Sequence, residues 1–245
     1  MRTIWLSIVP ALLAACYLPP ASAVAPTADE MAEAQRWSAT ALTGDSTATP
    51  VFSFLYDGKS SSELLAACTL TQEERKLDDT RTQRTCIWTD AKTGLEVRCV
   101  SVAYGDFPVL EWTVYLRNTG TADTPLIENI QGLDVRWERA EDGEFVLRGI
   151  KGDYCVPDSY EPYEVVLGPN AVQQFAPEGG RPTNKAFPCY NLAMPGGGII
   201  LAIGWPGQWA TRFTRDGARA LQTVAGQELT HLRLKPGEEI GEGQH

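Results

Sequence analysis

The fold is decided by Leu95-Glu96-Val97-Arg98-Cys99-Val100-Ser101-Val102-Ala103-Tyr104, in which apolar and polar side chains alternate. In an extended strand, Leu95, Val97 and Cys99 share one face, and the charged side chains between them share the other. Thr85–Thr89 precedes this stretch, and the turn-forming run Asp90–Gly94 joins the two. The pattern predicts an antiparallel hairpin with one face toward a core.

The same period of two recurs along the rest of the chain and predicts about a dozen strands separated by turns. Little helix is expected, in Ser61–Cys68 and near the N-terminus. The pattern is typical of an all-β antiparallel sandwich, and a TIM barrel would need long helices between its strands. Gly198–Gly204, which is apolar throughout, is predicted as a central strand, and Leu126–Trp137 as one strand bulged at Gly132. The other predicted strands are Val51–Tyr56, Val109–Arg117, Phe145–Leu147, Glu164–Leu167, Ala171–Phe175, Trp209–Thr214, Arg219–Val224 and Leu229–Leu234.

Length and charge narrow the class of protein. A chain of 245 residues allows one large or two small domains. The formal net charge is −10 and the isoelectric point is near 4.8. This acidity argues against nucleic acid as a partner, because nucleic-acid binding requires a basic face.

The N-terminus carries a targeting signal. Arg2 precedes a short apolar run, and Ala21-Ser22-Ala23 is a small-x-small cleavage site, so residues 1–23 are predicted as a signal peptide. Leu13-Ala14-Ala15-Cys16 also resembles a lipoprotein box, in which residues 1–15 are removed and Cys16 is lipidated. Both interpretations predict export to the periplasm or the outside, with contact to a membrane only through a lipid anchor.

Three further segments are expected after the signal. Residues 24–50 form a polar lead-in, in which Thr27 and Glu30 make a capping box and Met31–Leu42 is a short helix or part of a flexible spacer. Residues 51–240 form the sandwich, and residues 241–245 form a polar tail. Since this ending contains no apolar closing strand, we expect an interruption of the chain there.

Export would place the remaining cysteines in an oxidising compartment. Cys155 and Cys189 lie in Pro-bearing, loop-like segments and are the predicted disulfide, with Cys68–Cys86 as the alternative. Cys99 lies in a strand pattern and is expected to be buried. No C-x-x-C spacing occurs, so a zinc site is not expected.

Catalytic and cofactor patterns are scarce. The only histidines are His231 and His245, and no H-E-x-x-H, Gly-x-Ser-x-Gly or phosphate-binding loop occurs. We therefore expect no metal and no cofactor. Paired carboxylates would suit glycoside hydrolysis, but most acidic residues are expected on solvated strand faces and turns. Those considered are Asp106, Glu111, Glu128, Asp134, Asp153, Asp158 and Glu161.

A sugar-binding site is suggested by the segment Gly179–Phe213. Trp205 and Trp209 flank a Pro-Gly turn and lie near Arg181, Asn184 and Gln208 in sequence. Aromatic rings stack on sugar C–H faces, while amide and guanidinium groups bind hydroxyls. The alternative is that both tryptophans belong to the core, since aromatic residues dominate cores as well.

Several segments resemble the N-terminal part of α-galactosidase-like enzymes of glycoside hydrolase family 36. Gly180-Arg181-Pro182-Thr183-Asn184 resembles the family's Gly-Arg-Thr-Ser loop, and Gly204–Trp209 resembles its following Ser-Gly-Asn segment. The resemblance runs from about Val51 to Glu239 and is specific as an ensemble. The other segments that carry it are Phe52–Lys59, Thr93–Cys99, Asp106–Trp112 and Leu116–Ala122.

The resemblance implies a galactose mutarotase-like β-supersandwich that packs on a (β/α)8 barrel carrying both catalytic aspartates. It also implies a carbohydrate ligand and a sugar-pocket rim containing Arg181, Asn184, Trp205, Gln208 and Trp209. No barrel sequence is present, so no catalytic residue is assigned and no hydrolysis by this chain alone is expected. The alternatives are a freestanding carbohydrate-binding module, a docking partner for a separately encoded barrel, and a mutarotase-like enzyme using His231.

Overall fold

The computed structural model describes residues 24–42 and 50–244. Within these ranges the helices are α1 (Ala28–Ala41) and α2 (Ser61–Ala67). The predicted signal segment with Cys16, and the terminal His245, lie outside the described residues. The strands are β1 (Ser53–Tyr56), β2 (Lys59–Ser60), β3 (Thr69–Lys76), β4 (Arg81–Thr89), β5 (Leu95–Tyr104), β6 (Leu110–Asn118), β7 (Ile127–Gln131), β8 (Leu133–Glu138), β9 (Phe145–Lys151), β10 (Pro162–Leu167), β11 (Val172–Phe175), β12 (Ala186–Met194), β13 (Gly197–Ala202), β14 (Trp209–Arg215), β15 (Ala220–Gln227), β16 (His231–Leu232) and β17 (Glu239–Gln244).

The strands form four antiparallel sheets. Sheet I has the order β17-β6-β5-β4-β3, and sheet II has the order β16-β7-β1-β2. Sheet III has the order β11-β14-β15-β8, and sheet IV has the order β10-β9-β12-β13. The prediction of an all-β antiparallel sandwich with little helix is therefore confirmed.

One apolar core joins all four sheets. The hairpin β4–β5 forms as predicted, and Leu95 and Val97 are completely buried on its inner face. Val114 of sheet I, Ile127 of sheet II and Phe213 of sheet III are also completely buried in the same cluster. The alternation in sequence thus follows the side of each strand that faces the core.

Gly132 is a corner between sheets. The predicted single strand Leu126–Trp137 is two strands, because β7 belongs to sheet II and β8 to sheet III. The chain leaves one ladder and enters the other at Gly132, whose carbonyl accepts a 2.7 Å hydrogen bond from Trp112 Nε1. The expected bulge was therefore wrong, and the residue connects two layers of the fold.

Helix α1 packs on the sandwich through Trp37 and Ala41, and its Ser38 carbonyl accepts a hydrogen bond from Arg84. Its capping box is present, with Glu30 N donating to Thr27 Oγ1 at 3.2 Å. None of its residues is fully buried. The Trp37 ring contacts Trp112 at 5.6 Å and Trp137 at 6.1 Å between ring centroids. The predicted capping box and short helix are therefore present, although the helix begins at Ala28 rather than Met31 and ends at Ala41.

Three edge strands differ from the sequence-based expectation. β13 lies at the edge of sheet IV, and Ile200 is 79% exposed, so the predicted central strand was wrong. β17 pairs with β6 through Gln244, so the expected polar tail continues the strand that begins at Glu239. β3 was not predicted, because its side chains are exposed on both faces and carry no alternation.

Candidate functional site

Three loops meet at one end of the sandwich: residues 152–161, 176–185 and 203–208, here called the loop cluster. Asp153 N donates to Thr183 O at 2.8 Å, and Lys185 N donates to Asp153 O at 3.2 Å. Gly152 permits this close approach, since a Cβ on it would lie 2.2 Å from Thr183 O. All five predicted sugar-binding residues lie in this cluster or directly beside it.

Trp209 belongs to the core. Its side chain is 0% exposed at the start of β14, and its Nε1 donates to Pro182 O at 2.8 Å. Its ring makes an edge contact with Tyr190, 6.5 Å away between centroids. A ring with no exposed surface has no face for a sugar, so the predicted platform of two tryptophans is not formed.

Trp205 is half-buried and packs against the core. Its indole lies over Gly207, where a Cβ would be 3.0 Å from Nε1. The glycine therefore lets the turn fold against the ring. Part of the Trp205 ring remains at the surface of the loop cluster, in contrast to Trp209.

Gln208 and Asn184 hold the loops in shape. Gly180 N donates to Gln208 Oε1 at 2.9 Å, and Gln208 Nε2 donates to Pro177 O. Asn184 Nδ2 donates to Glu178 O at 2.9 Å. Both side-chain amides are thus engaged by the backbone of the 176–185 loop, and their geometry supports a positioning role.

Arg181 is available for a ligand. It is exposed, and within the described residues its guanidinium makes no hydrogen bond or ion pair. Its own carbonyl accepts a hydrogen bond from Asn184 N at 3.3 Å, which fixes the backbone from which the side chain projects. Among the predicted residues it has the most accessible polar group.

Two exposed tyrosines in the loop cluster were not predicted. Tyr154 is 51% and Tyr160 is 50% exposed. Tyr160 makes an edge contact with Phe187 at 6.4 Å, and it has a φ of 62°. Left-handed backbone is unfavourable for such a side chain and recurs at functional loops. The signal in the sequence was the density of aromatic residues and prolines between residues 154 and 163.

Glu178 links two of the loops. Its carboxylate binds the Lys185 ammonium and accepts a 2.9 Å hydrogen bond from the Tyr154 hydroxyl. The lysine, followed by the tyrosine, lowers the pKa of Glu178, and Glu178 raises the pKa of both partners. The carboxylate therefore stays ionised at neutral pH and orients the exposed Tyr154 ring.

Asp158 and Glu161 share one cation. Lys151 Nζ lies 2.6 Å from Asp158 Oδ2 and 2.7 Å from Glu161 Oε2. These carboxylates raise the lysine pKa to about 12, and the lysine lowers the pKa of Asp158. Since both carboxylates bind the same ammonium, their arrangement fixes the 152–161 loop.

The predicted disulfides are absent from the structure. Cys155 is an exposed thiol in the loop cluster, where its N–H donates to Asp153 Oδ1 at 2.9 Å. Cys189 is a half-buried thiol on β12, opposite Ala202 of β13. The alternative pair, Cys68 with Cys86, is also unbonded. In the β4–β5 register, Cys86 lies opposite Cys99 and not opposite Cys68.

The histidine available to a mutarotase-like site lies on a sheet edge. His231 Nδ1 is 3.0 Å from Glu128 Oε1, so the structure pairs it with a carboxylate, but its side chain is 64% exposed.

Across residues 24–42 and 50–244, no group of three His, Cys, Asp or Glu side chains is arranged to hold a metal ion. No helix in these ranges is long and apolar enough to cross a membrane.

Comparison with known proteins identifies the fold. No protein-family model and no curated protein matches the chain. Among solved structures, the galactosidase domain of the α-galactosidase-sucrose kinase AgaSK matches with a TM-score of 0.60 and 16% identity, covering 81% of this chain and 29% of that one. The chain has the fold of one part of an α-galactosidase.

Two further solved structures match with similar TM-scores, identities and coverages. The family 36 α-galactosidase AgaA of Geobacillus stearothermophilus, in complex with stachyose, gives a TM-score of 0.57 at 15% identity, covering 81% of this chain and 29% of its own. The α-galactosidase of Lactobacillus brevis gives 0.58 at 13% identity, covering 81% and 28%. The predicted resemblance is therefore confirmed for the fold, and the chain spans under a third of the length of these structures.

Proposed function

We propose that this chain is the non-catalytic N-terminal sandwich domain of an exported family 36 α-galactosidase and contributes to the rim of its sugar pocket. The observation that carries the proposal is the structural match, in which 81% of the chain corresponds to 29% of an α-galactosidase chain. The partner implied is a (β/α)8 catalytic domain, and the ligand is an α-galactoside.

The carboxylates of the loop cluster are engaged by lysines, which suits a non-catalytic role for this domain. Glycoside hydrolysis needs a pair of carboxyl groups free to act on either side of one bond. Asp158 and Glu161 are both held by Lys151, and Glu178 is held by Lys185. These groups shape the loops, and bond cleavage is assigned to the barrel of the whole enzyme.

The side chains that would meet the sugar are Arg181 and the exposed tyrosines. A guanidinium has five N–H donors for sugar hydroxyls, and in Arg181 they are unengaged within the described residues. The ring faces of Tyr154 and Tyr160 offer stacking surface. Gln208 and Asn184 hold the loop that carries the arginine, so their contribution is indirect.

The proposal is tested by titrating raffinose into the purified chain and following tryptophan fluorescence and calorimetric heat. We expect saturable binding without hydrolysis. Arg181→Ala should weaken binding on the order of tenfold, since it removes charge-assisted donors. Arg117→Ala is the matched control, because Arg117 is an exposed arginine on β6 of sheet I. Release of galactose by the chain, or equal binding by both variants, would contradict the proposed role.

A docking partner for a separately encoded barrel is the second candidate, favoured by the outer face of sheet IV. Val166 of β10 is 60% exposed and Ile200 of β13 is 79% exposed on that face. Val146 and Ala193 continue the row of Val166, whereas Asn191, Arg148 and Glu164 form the row of Ile200. Two exposed apolar side chains on one face of a sheet suit an interface. This candidate predicts concentration-dependent association in sedimentation that Ile200→Glu removes, and a monomer at all concentrations would exclude it.

A further inference from the structure

Cys86 and Cys99 face each other inside the sandwich. They are direct partners in the antiparallel ladder of β4 and β5, and they are 2% and 5% exposed. Side chains of directly opposed residues share a face, with Cβ atoms about 4.5–5.5 Å apart. A disulfide needs a Cβ separation of about 3.5–4.5 Å and a Cα separation of about 4.4–6.8 Å. The two strands therefore hold the thiols close to bonding geometry.

The end of helix α1 covers this pair. Cys86 Sγ donates to Leu42 O at 3.5 Å. Both cysteines, with Leu42, Phe52 and Trp88, line a cavity of about 10 Å³. The sulfur atoms thus have a little room to move toward each other, while α1 separates them from solvent.

Among the described residues, the other thiols have no comparable partner. Cys155 is exposed in the loop cluster, Cys189 lies opposite Ala202, and Cys68 follows α2 as its C-terminal cap. We propose that Cys86 and Cys99 form a cross-strand disulfide when the chain folds in the presence of an oxidising disulfide, either a low-molecular-mass one or that of an oxidoreductase. The proposed export would supply such an environment.

The reaction is a thiol–disulfide exchange in two steps. The Cys86 thiolate attacks one sulfur of the oxidant, forms a mixed disulfide and releases one thiol. The Cys99 thiolate then attacks Cys86 Sγ, forms the protein disulfide and releases the second thiol. The protein loses two hydrogen atoms, and the oxidant is reduced to two thiols.

Burial makes the timing of the reaction depend on α1. Burial raises the pKa of both thiols, and for Cys86 the effect is partly offset by Arg84. Buried thiols with a raised pKa exchange slowly. We therefore expect the bond to form before α1 docks, or during its detachment. Trp37→Ala, which removes the ring that contacts Trp112 and Trp137, should accelerate oxidation of the folded protein.

The experiment is to unfold the full chain in reductant, refold it with oxidised and reduced glutathione, alkylate the remaining thiols in denaturant and digest with trypsin. We expect a linked pair of peptides, Thr85–Lys92 joined to Cys99–Arg117, which reduction separates. Reduction should also lower the melting temperature by roughly 5–10 °C, since the bond closes a short loop. Cys155→Ser is the control and should leave the linked pair unchanged, whereas Cys86→Ala should abolish it.

Two results would overturn the proposal. One is the recovery of Cys86 and Cys99 as separate alkylated peptides from wild-type protein in which the exposed Cys155 has reacted with glutathione. The other is a linked pair that joins Cys86 or Cys99 to Cys68, Cys155 or Cys189. Both are read from the wild-type digest, so neither depends on a variant that folds.

Discussion

Arg215 and Asp216 are sequence neighbours that form an ion pair at the edge of the core. Arg215 Nη1 lies 2.6 Å from Asp216 Oδ1, and the arginine side chain is 0% exposed. The same guanidinium donates to Ala218 O at 2.6 Å and faces Glu144 Oε2 at 3.3 Å. A buried cation of this kind is tolerated because its donors meet carboxylates and turn carbonyls.

Arg215→Met should therefore destabilise the protein by about 3 kcal/mol, because it removes the donor shared by two partly buried carboxylates and the turn carbonyls. Arg136→Met is the matched control. Arg136 also binds Asp216, at 2.9 Å, but it is 51% exposed, so its loss should lower the free energy of unfolding much less than the loss of Arg215. Urea unfolding followed by circular dichroism measures both values. Equal losses would mean that burial does not set the strength of the Arg215 contacts.

Trp37→Ala should release α1 from the sandwich. The helix has no fully buried residue, and its Trp37 ring contacts Trp112 and Trp137. We expect faster hydrogen exchange throughout α1 and a loss of about 2 kcal/mol, less than for a fully buried tryptophan. Arg36→Ala on the same helix removes only an exposed contact with Glu33 and should change neither. Unchanged exchange in α1 of Trp37→Ala would show that other contacts hold the helix.

The ionised Asp78 carboxylate should stabilise the folded protein, and this stabilisation should be lost in acid. Its carboxylate accepts from Arg81 Nε at 2.7 Å and from two backbone N–H groups, and Arg81 is the largest cause of a pKa lowered from 3.8 to about 2. Because the folded pKa is below the unfolded one, the stabilisation is present above about pH 4 and is lost as the pH falls toward 2. Asp78→Asn should show a smaller decrease in unfolding free energy across that window.

The comparison for Asp78 is Asp79→Asn, which changes the next residue of the same turn. Within the described residues Asp79 makes no hydrogen bond or ion pair. Its substitution should leave the acid dependence as in the wild type. If Asp78→Asn and the wild type lose stability in parallel between pH 4 and pH 2, the Asp78 contacts do not contribute to the loss of stability in acid.

The strands that were predictable are those with one buried face. In β5, Leu95 and Val97 are buried while Glu96 and Arg98 are partly exposed, so the sequence alternates. In β3 almost every side chain is exposed, including the run from Glu73 to Lys76, and pairing with β4 alone makes it a strand. Alternation in the sequence arises when one face of a strand is buried. An edge strand that is exposed on both faces therefore shows no alternation.

The candidate site was also only partly predictable from the sequence. Trp205 and Trp209 are identical in type and four residues apart, yet only the second is in a ladder, opposite Gln227, with its ring turned inward. Along β14 the buried positions are Trp209, Thr211, Phe213 and Arg215. A buried arginine interrupts the apolar alternation, so the sequence of β14 alone does not show which of its faces is buried. The neighbouring strands decide which ring is covered.

Gln208 should control the shape of the loop that carries Arg181. Its amide accepts from Gly180 N at 2.9 Å and donates to Pro177 O, so it connects two points of the 176–185 loop. Removing one hydrogen bond costs about 1 kcal/mol, and Gln208→Ala should therefore raise hydrogen exchange at the Gly180 amide by roughly fivefold to tenfold. Gln174→Ala, at an exposed glutamine of β11, should not change it.

Gln208→Glu separates the two hydrogen bonds. A carboxylate keeps an acceptor for the Gly180 amide but removes the donor to the Pro177 carbonyl and adds repulsion there. Gly180 should then remain protected while the residues around Pro177 exchange faster. In raffinose titrations of the same variants, Gln208→Ala should weaken binding through Arg181, whereas an Arg181→Ala background should show no further loss. Additive losses in the double variant would mean that Gln208 acts on the ligand by another route than the position of Arg181.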